Sequence, residues 1–244
     1  MILDRITKRI QFRFKNRTIA AIALSELLKD SIRKQDRENF LVLGIPRAGA
    51  LTADIVCRRL SIPNFDLLLP RKLTNPDNKE QAIGAIMQDG SKHILYDLIN
   101  KFQISDDYLD KEVTMQLNEI QRRKDKYYQK TNYMNGPINE ITKYTKVLVV
   151  DDGIATGSTM TVAAKWLRQQ YEKTDSRLER LIIAAPVAPK NITNILKKEC
   201  KAEVEVVFHP SESAFYSVQQ YHQNFEIITD VQVVNIMEER LKNR

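Results

Sequence analysis

Val147-Leu148-Val149-Val150-Asp151-Asp152-Gly153-Ile154-Ala155-Thr156-Gly157-Ser158-Thr159 is the stretch on which the reading of this chain turns. Four aliphatic residues run without interruption into two carboxylates, and a helical pattern begins at Met160. An unbroken apolar run suits a strand covered on both faces, as in a parallel sheet. Ligands of open parallel sheets collect where strands end and helices begin, which is where the polar residues sit. Thr156 to Thr159 offer successive backbone N–H groups and three hydroxyls, and Gly157 is free to take positive φ. Such a turn at a helix N-terminus makes a nest for a phosphate. The helix dipole contributes about 0.3–1 kcal/mol. Each hydrogen bond to a charged group contributes about 1.5–3 kcal/mol, so the donors dominate. Ionised Asp151 and Asp152 only accept hydrogen bonds. That suits a sugar diol, or a metal bridged through such a diol.

Other readings of the stretch compete with this one. It is no P-loop, because the Gly-Lys-Ser/Thr ending is missing, and Gly-x-Gly-x-x-Gly does not occur. Paired aspartates after a strand also suit a magnesium site of a phosphoacceptor domain. The simplest alternative is a buried strand followed by a capped helix, with Ser158 or Thr159 near the cap.

Upstream, Phe40 to Ile45 predicts a strand, Pro46-Arg47-Ala48-Gly49 a turn, and about Ala50 to Leu60 a helix. Arg47 can make forked contacts to phosphate oxygens or be an exposed arginine on a turn. A further strand, Phe65 to Leu69, ends in Pro70-Arg71-Lys72, and the polar segment Leu73 to Glu80 reads as a mobile loop. Adjacent cations there suit pyrophosphate, with the loop as a lid that excludes water. A solvated loop with two surface bases is the other reading. Ile83 to Met87 and Ile94-Leu95 predict a hairpin.

The first helix is predicted at Thr18 to Ser31, with Ile19, Ile22, Ala23, Leu27 and Leu28 as its apolar face. Asp106 to Lys130 reads as one long helix, with Leu109, Val113, Leu117 and Ile120 at helical spacing. Arg122, Arg123, Lys124 and Lys126 crowd its end, as a solvated terminus or a nucleic-acid patch. Asn135-Gly136-Pro137 closes this region, and about residues 89–144 read as an inserted helical cap. Met160 to Tyr171 predicts a helix with Trp166 and Leu167 inward. Strands at Leu181 to Val187 and Val204 to Phe208 flank a helix at Lys190 to Cys200. The alternation predicts an α/β fold, a parallel sheet flanked by helices. Phe215, Tyr216, Tyr221, His222 and Phe225 form an aromatic tail. It suits stacking on a flat acceptor, packing of a C-terminal flap, or a homodimer contact.

The 244 residues, 43% of them apolar, suit one elaborated domain. The 38 basic and 31 acidic residues leave +7, scattered and without an aromatic-interleaved basic stripe. This favours acidic small molecules over nucleic acid. Cys57 and Cys200 read as reduced thiols of a cytoplasmic protein. His93, His209 and His222 share no metal-ligand spacing. Met1 to Arg5 lack the apolar core of a signal peptide. No uncharged apolar run of about 18 residues predicts a membrane span.

The stretch at Val147 to Thr159 resembles the 5-phosphoribosyl-1-pyrophosphate (PRPP) signature of type I phosphoribosyltransferases. The resemblance implies that Asp151 and Asp152 hold the ribose hydroxyls, and that Ala155, Thr156, Gly157, Ser158 and Thr159 hold the 5-phosphate. Arg47-Ala48-Gly49 matches the pyrophosphate loop, often Arg-Gly-Gly in that family, so Ala48 adds a methyl where the backbone approaches closely. Arg71 and Lys72 fall where relatives often place a lysine for pyrophosphate. Phe14 to Leu28, Gly44 to Gly49, Arg71 to Leu73, Ala82 to Ala85, Asp151 to Thr159, Pro186 to Pro189 and the aromatic tail together resemble one subgroup of predicted phosphoribosyltransferases whose acceptor is not settled. Enzymes for 6-oxopurines usually carry an aspartate at the place of Ala155, which argues against hypoxanthine or guanine. The implied activity is transfer of the phosphoribosyl group from PRPP to an acceptor. The implied cofactor is Mg2+ bound mainly through PRPP, and Arg47, Lys72, Asp151 and Asp152 are the implied catalytic residues. A non-catalytic PRPP or nucleotide sensor on the same fold is the alternative.

Overall fold

The computed structural model describes residues 12–79, 81–128 and 137–242. Its strands are β1 (Phe40–Gly44), β2 (Asn64–Leu67), β3 (Arg71–Thr74), β4 (Ala82–Ile86), β5 (Lys92–Ile94), β6 (Lys146–Val150), β7 (Arg180–Val187) and β8 (Glu203–Phe208). Its helices are α1 (Arg17–Ser31), α2 (Ala48–Leu60), α3 (Tyr96–Lys101), α4 (Asp106–Tyr128), α5 (Ser158–Lys173), α6 (Lys190–Cys200) and α7 (Asp230–Lys242). Five strands form a parallel sheet ordered β2-β1-β6-β7-β8.

The unbroken apolar runs are explained by burial on both faces. Phe40, Val42, Leu148, Val150, Ile182 and Ala184 enter one core, shared with α1, α2, α4 and α7. Leu41, Leu43, Val147, Val149, Leu181 and Ile183 alternate into the other, under α5 and α6. Each buried aliphatic side chain contributes about 1.5–3 kcal/mol, so neither face tolerates a polar residue at these positions. β1 pairs with β2 on one side and β6 on the other. The strands all run parallel, and the side on which successive strands are added therefore switches between β1 and β6. A crevice opens at the carboxyl ends of such a strand pair.

A second sheet, antiparallel and ordered β3-β4-β5, stands beside the first. Here the expectation for Arg71 and Lys72 is corrected: they lie on strand β3, not at the open end of the preceding strand. The following polar segment is the turn of a hairpin, where Asn75 N–H donates to the Gln81 carbonyl at 3.0 Å. The Asn75 side-chain amide adds a 2.9 Å bond to Gln81. Four polar-rich residues, Arg-Lys-Leu-Thr, carry too little apolar periodicity to announce a strand. Helix α4 supplies the missing partners: buried Glu112 accepts from the Thr74 N–H at 2.9 Å and its hydroxyl at 2.8 Å.

The inward face of α1 is also corrected. Arg17, Ala20, Ala21, Leu24, Ser25 and Leu28 are buried, whereas Ile19 is 42% exposed. At the cationic end of α4, Arg122, Lys124 and Lys126 are exposed, as a solvated terminus predicts, while Arg123 is half-buried. Arg122 pairs with Glu119 and with Asp230 at the start of α7, and Lys126 reaches Asp230 at 3.5 Å.

The aromatic tail packs as a flap. Tyr221 stacks on Phe215 and tilts against Phe208. Phe14 N–H donates to the Tyr221 carbonyl at 2.8 Å, and Gln223 N–H donates to the Phe14 carbonyl at 2.9 Å. Cys57 and Cys200 are buried free thiols, and burial pushes the Cys57 thiol up to about 12. Among the described residues no helix is long and apolar enough to cross a membrane. Met1 to Arg5, Glu80, Lys130 and Asn135-Gly136 lie outside the described residues.

Candidate active site

Two turns meet at the crevice between β1 and β6. The first, Pro46 to Gly49, contains a cis peptide between Pro46 and Arg47, and Ala48 opens α2 directly. Gly49 is pressed against the second turn. A Cβ there would lie 2.8 Å from Asp151 Oδ1, 2.8 Å from the Val150 carbonyl and 2.9 Å from Asp151 Cα. The close backbone approach thus falls on Gly49, and Ala48 has room for its methyl while packing against the core.

In the second turn, Asp151 N–H donates to the Ala184 carbonyl at 3.2 Å, and Asp152 N–H donates to Asp151 Oδ1 at 2.8 Å. Burial, then the neighbouring charge of Asp152, raises Asp151 well above the usual carboxylate range. Asp152 is held by a residue far away in sequence. Arg17 donates from Nε to Asp152 Oδ2 at 2.8 Å, lays its guanidinium 3.6 Å over the Phe225 ring, and donates from Nη1 to the Glu226 carbonyl.

Further along, Ile154 N–H is taken by the Val187 carbonyl at 2.9 Å. The N–H groups of Ala155, Thr156 and Gly157 donate to no acceptor among the described residues. Gly157 has φ 77° and itself caps α5, in place of the Ser158 or Thr159 cap considered from sequence. The Thr156 and Ser158 hydroxyl oxygens lie 3.1 Å apart. The Ser158 N–H reaches the Thr156 hydroxyl at 3.5 Å, and the N–H groups of Ala155 to Gly157, with the next ones of α5, which lack intrahelical partners, present a row of donors.

The candidate cations divide. Arg47 is exposed and lines a cleft of about 390 Å³ with Ala48, Asp151, Asp152, Arg17 and Phe225; Val218, Ile227 and Ile228 supply an apolar wall. Arg71 and Lys72 do not line this cleft. Arg71 turns toward α4 and donates from Nε to Gln116 Oε1 at 2.9 Å; burial, then the charge of Arg123, lowers its pKa. Lys72 pairs with Ala85 across the hairpin, so pleat alternation sets its side chain on the opposite face from Arg71. Arg123 Nη1 donates to the Pro46 carbonyl at 3.4 Å, while Glu119 holds its Nε at 2.8 Å.

The phosphoribosyl transferase domain matches residues 13–225. This chain belongs to the phosphoribosyl transferase family. It is 30% identical over 200 residues to "Putative phosphoribosyl transferase Rv0571c" of Mycobacterium tuberculosis strain H37Rv, covering 81% of this chain and 41% of that one. The same figures hold for "Putative phosphoribosyl transferase MT0597" of strain CDC 1551. The chain thus spans about two fifths of the length of these curated relatives. Among solved structures, TT1426 from Thermus thermophilus is similar at 29% identity with a TM-score of 0.65, covering 93% of this chain and 99% of that one.

Within this phosphoribosyl transferase domain, two arginines beside the cleft escaped the sequence reading. Arg17 opens α1 and gave no local signal, because its partner lies 135 positions away. Arg123 stood in a basic run that favoured a solvated reading. Its acidic neighbour Glu119, one helical turn earlier, was the available hint that the run is paired.

Proposed function

We propose that the chain binds PRPP across the crevice and transfers its 5-phosphoribosyl group to a nucleophilic acceptor, releasing pyrophosphate. One observation carries this reading: the Arg47 turn and the aspartate pair are in contact through Gly49, so a diphosphate at one and a ribose at the other belong to one molecule. The 5-phosphate would lie on the open donors of Ala155 to Thr159, and the ribose hydroxyls would donate to Asp151 and Asp152. Arg47 would meet the diphosphate. Arg71 and Lys72 keep their sequence-based assignment to pyrophosphate only if the hairpin carrying them moves toward the cleft.

In this reaction the bond from ribose C1 to the diphosphate oxygen breaks, with its electron pair leaving on that oxygen. A bond from the acceptor to C1 forms, and the acceptor's proton passes to solvent or to the departing diphosphate. Positive charge grows on the sugar near two carboxylates, and negative charge grows on the diphosphate near Arg47, so both ends are stabilised by fixed groups. Among the described residues no cluster of three or more His, Cys, Asp or Glu side chains makes a metal cage. Asp152 is already engaged by Arg17. This donor set suits Mg2+ carried on PRPP, where the ion would offset the diphosphate charge. On the same reading the 244 residues form one domain, with the helical block at about 89–144 inserted.

A second reading, a PRPP or nucleotide sensor without turnover, is favoured by the absence of Arg71 and Lys72 from the cleft lining. Pyrophosphate release from PRPP and Mg2+ with a panel of bases and amines decides between them. Release with one acceptor supports the transferase, binding without release supports the sensor, and neither would remove both.

A further inference from the structure

Arg17 has a role that the family's sugar signature does not contain. Its guanidinium joins three parts of the molecule: the first residue of α1, the carboxylate of Asp152, and the Phe225-Glu226 segment of the flap. The Arg17 and Asp152 side chains are only 9% and 15% exposed. A charge so sheltered is expensive unless paired, and breaking such a pair leaves an uncompensated buried charge.

The need for this cation lies in the aspartate pair. Asp151 and Asp152 are adjacent, the Asp152 N–H is bonded to Asp151 Oδ1, and Gly49 packs directly against Asp151. Two close carboxylates that shed water tend to share a proton. A shared proton removes an acceptor, and a ribose diol needs an acceptor on each carboxylate. The charged groups facing the pair are Arg17 from α1 and Arg47 from the first turn; the flap adds the His222 ring. Arg47 is exposed. Burial holds His222 below the ordinary histidine range, and its Nδ1 is engaged with the Val218 carbonyl at 3.1 Å. Glu226 contributes its carbonyl, with its carboxylate outward. Among the described residues Arg17 is therefore the cation bonded to the pair, through Asp152.

We propose that Arg17 is a positioning residue of the sugar site: it offsets one of the two charges of the aspartate pair, turns Asp152 into place and ties it to the flap, so that both carboxylates accept hydrogen bonds together. The flap enters because the guanidinium is fixed from behind by the Phe225 face and the Glu226 carbonyl. A lysine at this place would keep the charge but lose the planar fork and the stack. The sugar-site part of this proposal rests on the PRPP reading, while the charge balance of the aspartates does not.

The test uses the full chain with 13C-labelled aspartate carboxyls, titrated by NMR without ligand, with Asp151→Asn and Asp152→Asn to assign the signals. In Arg17→Gln the midpoint of the pair should rise by about 1–3 pH units, the usual effect of losing an adjacent opposite charge. Arg17→Lys should give a smaller rise. An unmoved midpoint in a folded Arg17→Gln protein overturns the proposal. If Arg17→Gln does not fold, Arg17→Lys decides: a rise supports the proposal, and no rise overturns it. Calorimetry with PRPP and Mg2+ separates this from the functional reading. Wild-type binding, with an Arg17→Gln affinity that is weak at pH 6.5 and recovers toward pH 8.5, supports both. A raised midpoint with no wild-type binding removes the PRPP site and leaves the charge balance standing. Binding with an unmoved midpoint does the reverse.

Discussion

The turns after β1 and β6 leave the same edge of the same sheet and each feeds a helix, yet they are built in opposite ways. The first is tight: α2 begins at Ala48, and Gly49 is driven against Asp151 with no space for another atom. It is also braced from outside, since Arg123 of α4 reaches the Pro46 carbonyl. The second is wide: several residues separate Asp151 from α5, and its N–H groups at Ala155 to Gly157 are left open. One turn is defined by backbone proximity, the other by donors left without acceptors among the described residues. The difference teaches that two strand–turn–helix units of similar sequence grammar can divide a ligand between them, one defining distance and the other supplying bonds.

The sharpest way to break this contrast is Gly49→Ala. The added methyl would meet two backbone atoms and a fixed carboxylate oxygen, all within 2.9 Å. A shift of the turn should cost about 1–3 kcal/mol of stability. Misplacing the site by about 1 Å should cost on the order of 100-fold in turnover. Thermal unfolding and pyrophosphate release measure the two. Retained stability and turnover would show that the contact is not needed. Next comes Asp152→Asn, which removes an ionised acceptor. PRPP affinity by calorimetry should fall about 10- to 100-fold, as loss of about 1.5–3 kcal/mol implies.

Gly157→Ala probes the wide turn. A side chain at φ 77° is strained, and the methyl would lie 3.0 Å from Ile192 Cγ2. The expected cost is about 1–2 kcal/mol, read as a lowered Tm with a smaller loss of affinity than Gly49→Ala gives. The mildest change concerns the brace. Hydrogen bonds from Arg122 and Arg123 hold the Glu119 carboxyl at about 2, against the opposing effect of burial. Because that value is depressed, the contribution is present above the ordinary value of 4.5 and is lost as pH falls toward about 2. Glu119→Gln should therefore lower Tm at pH 7, and the difference from wild type should shrink in that acid window. A constant difference across pH would remove the ion pair as its cause.

The sheet was legible because its strands are buried on both sides. Val147 to Val150 and Leu181 to Val187 give runs with no polar interruption, and each ends at a recognisable turn. The surroundings of the sheet were less legible. Helix α1 has apolar residues nearly all round, Ile19 to Leu24 among them, so spacing alone could not orient it; packing against α2 and the sheet turned Ile19 outward. β3 gave little signal because Leu73 is the one apolar residue of its four; its backbone pairs with β4, and Glu112 and Gln116 of α4 complete Thr74 and Arg71. The turn after Ile154 was legible at Gly157, where the structure uses the freedom to take positive φ, since only local chemistry decides it.

The hydrogen bonds between Phe14 and the Tyr221-Gln223 segment give the molecule a particular order of assembly. A nascent chain released up to Phe208 would already hold every strand of the parallel sheet, yet Arg17 would still lack Phe225 and Glu226. Arg17 must wait for a segment more than two hundred positions later before it is seated. Protein synthesis, which runs from one end to the other, therefore lays down the parallel sheet before it completes the pocket, and a chain cut short in the flap would lack both the seat of Arg17 and the α7 side chains that fill one core.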